Sequence, residues 1–391
     1  MIFINPYNRI KMEITKSGAT FSSIVGIGEQ LKKLSELRGE EYLFLNRGVN
    51  SVCNIDLTEV VKEIDFNSAK IQVYPPNKGM PQLRQAINKE YFKGESTIGN
   101  ISITAGGMSG LDLILQLIEV ETIFFSKYFW GSYAKVATVR NLQTATYDDL
   151  SSFTEYVECN IDAPGKCAVI ICDPNNPVGD KIEDENLLAS IKQLNELGVA
   201  VIIDCPYRKL FTKENDKFYH EIFSLKNVII TESFSKSLGL SGQRIGFIHC
   251  NNEDFNAELN IRLIYSLNGV NAFAQELVYR LLSTEKGKSA VDKFKTKTVQ
   301  GISQNIQYLE KHHLLAAEFY KINRPVGIFA VINKTQEELL KHNIGSVSMS
   351  YFTKGKNPLM NAFTRICVSV PPEKFQYFFE RTVLKNEVEQ Q

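Results

Sequence analysis

The stretch Thr231-Glu-Ser-Phe-Ser-Lys-Ser-Leu-Gly-Leu-Ser-Gly-Gln-Arg244 places Lys236 among hydroxyls and glycines. It lies between apolar residues 228–230, which are typical of a buried parallel strand, and a second apolar run at 245–248. A lysine beside a sheet is unfavourable unless it is paired or covalently used. The serines and Arg244 can bind a phosphate, and an amine near a phosphate suggests a Schiff base with pyridoxal phosphate. The alternative is an ordinary charged surface loop, because short motifs also occur by chance.

The composition narrows the class of protein. A chain of 391 residues suits two domains, and its net charge of zero argues against nucleic acid as the main partner. No apolar run approaches the length of a membrane span, and residues 1–6 lack the features of a signal peptide. The seven cysteines form no Cys-x-x-Cys pair and the five histidines show no metal spacing. We therefore expect a cytoplasmic protein with reduced thiols, no metal site and no membrane partner.

Strand and helix patterns alternate through the first two thirds of the chain, which predicts a parallel, doubly wound sheet. The predicted strands are 101–104, 122–125, 167–172, 199–204 and 227–231, with a helix at 183–197. Ligands of such sheets bind at the carboxyl ends of the strands. Polar segments follow three successive strands there: the turn 173–179, Asp204-Cys-Pro-Tyr207 and Ser233 to Lys236.

The rest of the chain predicts a second, α+β domain. A helix pattern covers 271–313, with possible breaks at Gly287 and Gly301. Short strands are predicted at 318–322, 328–332 and 365–370, and helices at 336–342 and 372–384. An N-terminal helix at 21–37 and a strand at 42–45 would complete this domain. We thus expect an arm at 1–19, a small domain of 20–47 and 271–391, and a large domain of 48–270.

Pyridoxal phosphate needs a lysine, a carboxylate for its ring nitrogen, a donor at its ring oxygen and a phosphate cup. Asp204, Tyr207 and Asn176 could instead be a helix cap, a packed ring and a turn asparagine. The glycines 106–107 precede a helix and could bind phosphate or simply form a tight turn. Their common position after strands favours the cofactor over these separate explanations.

These motifs make the chain similar to the class I/II aminotransferases of the fold-type I pyridoxal-phosphate-dependent enzymes. They are Tyr74-x4-Gly79-x3-Leu83-Arg84, the glycines 106–107, Asp173-Pro-Asn-Asn-Pro-Val-Gly179, Asp204-x-Pro-Tyr207, Ser233-Phe-Ser-Lys236-x7-Arg244 and Phe363-Thr-Arg365-Ile. The resemblance implies an α/β fold with a large domain around a mostly parallel doubly wound sheet and a smaller α+β domain. It also implies an enzyme that moves an amino group between an α-amino acid and a 2-oxo acid, acting as a homodimer with shared active sites.

The resemblance implies a role for each residue near the cofactor ring. Lys236 forms the Schiff base and transfers the proton, and Asp204 pairs with the ring nitrogen. Asn176 and Tyr207 hold the ring oxygen, and Trp130 stacks on the ring. Arg244 is expected to lower the pKa of Lys236, as neighbouring cations do.

The phosphate and the substrate have their own implied residues. The phosphate is held by Gly107, Met108, Ser233 and Arg244, and by Tyr74 of the neighbouring subunit. Arg365 binds the α-carboxylate of the substrate, with Gly48 and Asn176 beside it.

The chain departs from the family pattern in three places. Asp173 and Val178 replace the commoner Asn and Thr, which leaves Asn176 intact. Met108 has no hydroxyl, so only its backbone N–H can bind phosphate, and the residues after Gly48 differ from the usual ones.

Other functions fit the sequence less well. A lyase, cyclase or oxidase of the same fold type shares the cofactor residues and stays open. A pyridoxal-phosphate-binding sensor is disfavoured, because the stretch before Phe21 is too short for a DNA-binding domain. A nicotinamide enzyme would need Gly-x-Gly-x-x-Gly after a strand, which the sequence lacks.

Overall fold

The structure is a computed structural model that describes residues 12, 14–212, 216–320 and 324–389. From residue 382 onward only the backbone is described. Most of the predicted N-terminal arm, and residues 321 and 322 of one predicted strand, lie outside the described residues.

A seven-stranded sheet forms the centre of the molecule, in the order β2-β8-β7-β6-β5-β3-β4. Its strands are β2 Ile101–Thr104, β3 Thr122–Ser126, β4 Gln143–Tyr147, β5 Cys167–Ile171, β6 Ala200–Asp204, β7 Val228–Ser233 and β8 Gly246–Cys250. Strands β3 to β7 pair in parallel, and β8 runs antiparallel to both its neighbours. The predicted parallel sheet is therefore confirmed.

Helices cover both faces of this sheet. Four other helices, α1 and α14 to α16, belong to a smaller layer formed by the two ends of the chain. The helices in chain order are α1 Ser23–Arg38, α2 Thr58–Val61, α3 Ala69–Gln72, α4 Pro81–Phe92, α5 Gly107–Leu117, α6 Ser132–Val139, α7 Leu150–Asn160, α8 Asp184–Glu196, α9 Arg208–Phe211, α10 Phe218–Ile222, α11 Phe234–Ser237, α12 Glu253–Ser266, α13 Ala272–Ser283, α14 Glu285–Lys311, α15 Gln336–Lys341 and α16 Pro372–Glu389.

Alternate residues of each central strand enter different cores, because successive side chains of a strand point to opposite faces. In β6, Val201 and Ile203 pack in the core that includes α4, α8 and α13. Ile202 packs in the core of the other face, with α5, α6 and α12. Burial on both faces explains why these strands are continuous apolar runs.

A smaller layer combines the two ends of the chain. Three antiparallel strands, β9 Phe329–Ile332, β11 Val347–Ser348 and β12 Thr364–Cys367, lie in the order β11-β12-β9. Strand β1 Leu43–Phe44 pairs in parallel with β10 Ile344–Gly345. This pairing joins the N-terminal segment to the C-terminal one, as the predicted small domain requires, although its exact boundaries stay a prediction.

Two glycines predicted to break a helix lie inside α14 instead. The break falls at Thr284, whose hydroxyl accepts a hydrogen bond from the Gly287 N–H at 3.0 Å and caps α14. A Cβ at Gly287 would lie 2.1 Å from the Arg280 carbonyl oxygen, and one at Gly301 would lie 2.6 Å from Val52 Cγ1. Both glycines therefore permit close packing of the helix rather than ending it.

The strand predicted at 318–322 is wrong for its described part. Residues 317–319 form a turn, in which the Phe319 N–H donates to the Ala316 carbonyl at 3.0 Å. The apolar side chains there pack against the edge of the smaller sheet without joining it. No helix in the described part of the chain is long and apolar enough to cross a membrane.

Candidate active site

The carboxyl ends of β5, β6 and β7 are neighbours in the sheet, and the polar segments that follow them meet there. Lys236 lies on α11, directly after β7, and Ser233 caps that short helix by accepting from the Ser235 N–H at 3.3 Å. The sheet order therefore brings together Asn176, Asp204 and Lys236, as the sequence predicted.

The Lys236 amine is held in a largely enclosed position. Its Nζ donates a hydrogen bond to the Gly48 carbonyl oxygen. The pKa of Lys236 is lowered to about 8, chiefly by loss of hydration, with smaller contributions from the positive charges of Arg244, Arg47 and Arg365. The predicted effect of Arg244 is present, but burial is the larger cause. A neutral amine near pH 8 is suited to attack a carbonyl carbon.

Asp204 is a buried carboxylate with one defined partner. The Tyr133 hydroxyl donates to its Oδ2 at 2.8 Å. Burial raises the pKa of Asp204 to about 6, and the hydrogen bond from Tyr133 opposes that rise. Among the described residues no donor reaches the other oxygen, Oδ1. A buried carboxylate with an open oxygen fits a protonated ring nitrogen, which would supply the missing partner.

Arg365 is fully buried and incompletely paired. Its Nη1 donates to Asn176 Oδ1 at 3.3 Å, and its Nη2 donates to the Asn46 carbonyl. The guanidinium lies over the rings of Phe329 and Phe352, 4.4 and 4.8 Å from their centroids. Nε has no partner within the described chain, and burial lowers the pKa of Arg365 to about 10. This buried, unpaired donor fits a carboxylate ligand.

Asn176 contacts both Tyr207, the other residue expected to hold the ring oxygen, and Arg365. Its Nδ2 donates to the Tyr207 hydroxyl at 3.3 Å, while its Oδ1 accepts from Arg365. Asn176 and Tyr207 are both buried. The amide thus connects the carboxylate-binding arginine with the predicted ring-oxygen site.

A phosphate cup lies at the start of α5. The first amides of α5 have no acceptor within the helix, as at any helix N-terminus, so Gly107 and Met108 can offer backbone N–H groups. A Cβ at Gly106 would lie 2.7 Å from Arg244 Nη2, so only glycine permits the guanidinium to approach this turn. Arg244 Nη1 also contacts Ser235 Oγ at 3.5 Å, and Ser233 Oγ lies 2.9 Å from the same hydroxyl. These groups together suit a dianionic phosphate.

The remaining predicted residues have different positions. Trp130 is half-buried and contacts the Tyr133 ring edge-on, with centroids 5.5 Å apart. Gly48 lies against Phe329, whose Cζ would be 2.4 Å from a Cβ there. Tyr74 does not lie with the other predicted site residues of its own chain, and 82% of its surface is exposed.

Two site residues were missed by the sequence analysis. Tyr133, in the first turn of α6, was not among the predicted residues, although it lies three residues after the predicted Trp130. Arg208 follows Tyr207 and has only 1% of its side chain exposed. It pairs with Asp173 at 3.3 Å and with Asp216 at 3.0 Å. The departure at Asp173 therefore supplies a buried counter-charge next to the turn that carries Asn176.

Comparison with known proteins identifies the family. The model described as aminotransferase class I and II matches residues 41–381. The chain belongs to this family. Class I and II aminotransferases depend on pyridoxal phosphate, so the match confirms the predicted family and cofactor.

Relatives within the class I and II family differ in their named activity. A histidinol-phosphate aminotransferase from Campylobacter hominis is 30% identical over 201 residues, which are 48% of this chain and 52% of that protein. An aspartate aminotransferase from Pyrococcus horikoshii is 26% identical over 274 residues, 66% of this chain and 67% of the relative. The chain therefore matches only about half the length of the first relative.

A solved structure supports the fold across nearly the whole chain. Aspartate aminotransferase from Thermus thermophilus with maleate superposes with a TM-score of 0.81, covering 95% of this chain and 99% of that one. The two sequences are 17% identical, so this likeness concerns the fold alone. It confirms the predicted fold class.

Proposed function

We propose that the protein transfers an amino group between an α-amino acid and a 2-oxo acid, using pyridoxal phosphate bound through Lys236. One observation supports a substrate with a carboxylate next to its reacting carbon. The segment Asn46 to Gly48 accepts a hydrogen bond from Arg365 at one end and from Lys236 at the other. A carboxylate held by Arg365 thus places the neighbouring Cα within reach of the Lys236 amine.

Each residue contributes a separate task. When bound, pyridoxal phosphate supplies an electron sink for the bonds at the substrate Cα. Asp204 holds the proton on the ring nitrogen, and Lys236 moves the proton at Cα. Arg365 orients the substrate by its carboxylate, and Arg244 with the start of α5 holds the phosphate.

We place the active site at a dimer interface. Tyr74 and Tyr265 have 82% and 86% of their surfaces exposed, and Val73 and Ile261 are also exposed. The segment around Tyr74 is attached to α12, since Asn77 Nδ2 donates to the Asn260 carbonyl at 2.6 Å. Large aromatic and aliphatic side chains on one surface favour burial against a second copy of the chain.

We also propose a cytoplasmic location. None of the seven cysteines forms a disulfide, and four of them are buried: Cys167, Cys205, Cys250 and Cys367. Free thiols are the usual state of cysteines in a reducing compartment.

The test of this function has two steps. Borohydride reduction of the holoenzyme, digestion and mass spectrometry should find a pyridoxyl adduct on Lys236 and none in Lys236→Ala. Amino acids added to unreduced enzyme should then convert the cofactor to its amine form, and a 2-oxo acid should reverse the conversion. Release of ammonia or a cyclised product without the amine form would instead indicate a lyase or cyclase.

A further inference from the structure

The Tyr320 hydroxyl joins two parts of the molecule that carry the active site. It donates to the Val178 carbonyl oxygen at 2.6 Å and accepts from the Val331 N–H at 2.7 Å. Val178 belongs to the turn 173–179 after β5, whereas Val331 belongs to β9 of the smaller layer. One hydroxyl therefore connects the central sheet to the smaller layer through two hydrogen bonds, one given and one received.

Each of these two backbone contacts lies next to a residue of the candidate site. Val178 comes two residues after Asn176 in the same turn. Val331 is the register partner of Arg365 in the antiparallel pair of β9 and β12. Asn176 and Arg365 are themselves in contact, since Arg365 Nη1 lies 3.3 Å from Asn176 Oδ1. The Tyr320 bridge therefore joins the same turn and the same sheet as this contact between side chains.

The surroundings of Tyr320 suit a fixed bridge. Its ring packs with Val178 and Val331 in one apolar cluster, so the valine that replaces the commoner threonine of the turn packs beside the bridge. Burial raises the pKa of the Tyr320 hydroxyl, which therefore keeps the proton that it donates to Val178.

The turn has a further attachment to the smaller layer, but it also borders a cavity. The Val326 N–H donates to the Gly179 carbonyl at 2.5 Å, so loss of the Tyr320 hydroxyl would not detach the turn. The cavity has a volume of about 380 Å³, and Asn176 and Val178 are among its lining residues. Packing therefore leaves Asn176 room to shift when the hydroxyl is removed.

We propose that Tyr320 is a positioning residue for the carboxylate of the substrate. This role rests on the proposed function, in which Arg365 binds that carboxylate with Asn176 beside it. The Tyr320 hydroxyl holds the turn that carries Asn176 at a fixed distance from the strand that carries Arg365. The two side chains then present their donors to one carboxylate in a fixed arrangement. The effect of Tyr320 is transmitted through Val178 and Val331.

The test compares two amines that differ in one group. Aminooxyacetate carries a carboxylate, and O-ethylhydroxylamine carries a methyl group in its place. Both displace Lys236 from bound pyridoxal phosphate, so the absorbance of the cofactor follows each reaction on the holoenzyme. Each rate is divided by the rate of the same amine with free pyridoxal phosphate, which removes the difference in their intrinsic reactivity.

The wild type should favour aminooxyacetate, because Arg365 binds its carboxylate. Tyr320→Phe should reduce the ratio of the two rates about tenfold, the factor that corresponds to about 1.4 kcal/mol. The rate with O-ethylhydroxylamine should stay unchanged, because this amine does not use the carboxylate site. Damage to the fold or to the cofactor site would instead lower both rates.

The matched control is Tyr128→Phe. It removes a hydroxyl from a tyrosine that packs against the same apolar cluster, but that hydroxyl donates to the Met360 sulfur at 3.6 Å and not to the turn. This variant should keep the wild-type ratio. A wild-type ratio in Tyr320→Phe, an equal fall of both its rates, or the same change in Tyr128→Phe would overturn the proposal. No preference for aminooxyacetate in the wild type would overturn the assignment of Arg365 in the proposed function, so the two failures are distinguishable.

Discussion

Lys236 shows how a single buried amine is prepared for chemistry. Its pKa is lowered to about 8 from the ordinary 10.5, chiefly because burial removes hydration from the charged form. The amine is thus protonated below about pH 8 and neutral above it. In cofactor-free protein, we expect labelling of Lys236 by acetic anhydride to rise with pH and reach half its maximum near pH 8, as followed by mass spectrometry.

The same measurement in denaturant provides the control for Lys236. Unfolding restores hydration, so the midpoint should return to about 10.5. A midpoint near 10.5 in the folded protein would show that the amine is not desolvated.

Tyr133 and Asp204 form a second residue-scale pair. The Tyr133 hydroxyl stabilises the ionised carboxylate, whose pKa burial raises to about 6. Tyr133→Phe removes the donor, so the pKa of Asp204 should rise and a larger fraction should be protonated at pH 7. A carboxyl titration of labelled aspartate by NMR, with Asp204→Asn to assign the signal, measures this change.

A matched control for Tyr133 lies in the same cavity. Tyr147 lines that cavity with Tyr133 but has no hydrogen bond to Asp204. Tyr147→Phe should leave the Asp204 midpoint unchanged. If both variants shift it equally, general repacking explains the effect and the hydroxyl contact does not.

These residues mark the limit of what local sequence can predict. Lys236, Asp204 and Asn176 were predictable, because each follows a continuous apolar strand and neighbouring parallel strands end together. Tyr133 was not, since a tyrosine on a helix has the same pattern whether it packs in a core or donates to a carboxylate. Its partner is 71 residues away and is fixed only by the fold.

At the scale of elements, Arg208 connects the turns after β5 and β6. It is the first residue of α9, and its guanidinium reaches Asp173, Asp184 and Asp216 at 3.3, 2.8 and 3.0 Å. The guanidinium also lies 4.1 Å from the centroid of the Phe218 ring. The turn that carries Asn176 and the one that carries Tyr207 are therefore held in a fixed relation.

Removal of Arg208 should destabilise the protein strongly. Arg208→Met leaves the buried Asp216 without the guanidinium that pairs with it, and leaves the buried Asp173 with only Lys181, 3.9 Å away, which costs about 3–5 kcal/mol of unfolding free energy. Denaturant unfolding measures the change. Arg140→Met is the control: it removes a bidentate pair with Asp112 that is about one third exposed, so it should cost about 1 kcal/mol or less. Equal losses in the two variants would contradict a structural role specific to Arg208.

Element prediction succeeded where burial dictates the pattern. Strand β5, strand β6 up to Ile203 and the first three residues of β7 are apolar because both faces of the sheet are covered, and the positions of these strands agreed with the sequence within a few residues. The edge strand β4, with the polar sequence Gln143-Thr-Ala-Thr-Tyr147, was missed, because an edge strand is only partly buried. Gly287 was wrongly predicted to break a helix. Its close approach to Arg280 is a contact between α14 and α13, which the local sequence pattern does not reveal.

At the scale of the whole molecule, the exposed Tyr74 supports the proposed pairing of two copies of the chain. Tyr74 is a phenol with 82% of its surface exposed, on a segment fixed to α12. Within the described chain its hydroxyl has no hydrogen-bond partner. We expect each Tyr74 of the proposed two-fold dimer to reach the phosphate cup of the other subunit, which would give two identical composite sites.

Hybrid dimers test this arrangement. Lys236→Ala lacks the amine, and a Tyr74→Ala variant lacks the phenol that we assign to the partner's site. Refolding the two inactive variants together should produce hybrids in which one site has both residues intact. Random mixing makes half the dimers hybrid, and half the sites of each hybrid work, so roughly a quarter of the sites should regain activity. Verified subunit exchange without regained activity would show that Tyr74 acts within its own chain or has no part in the site.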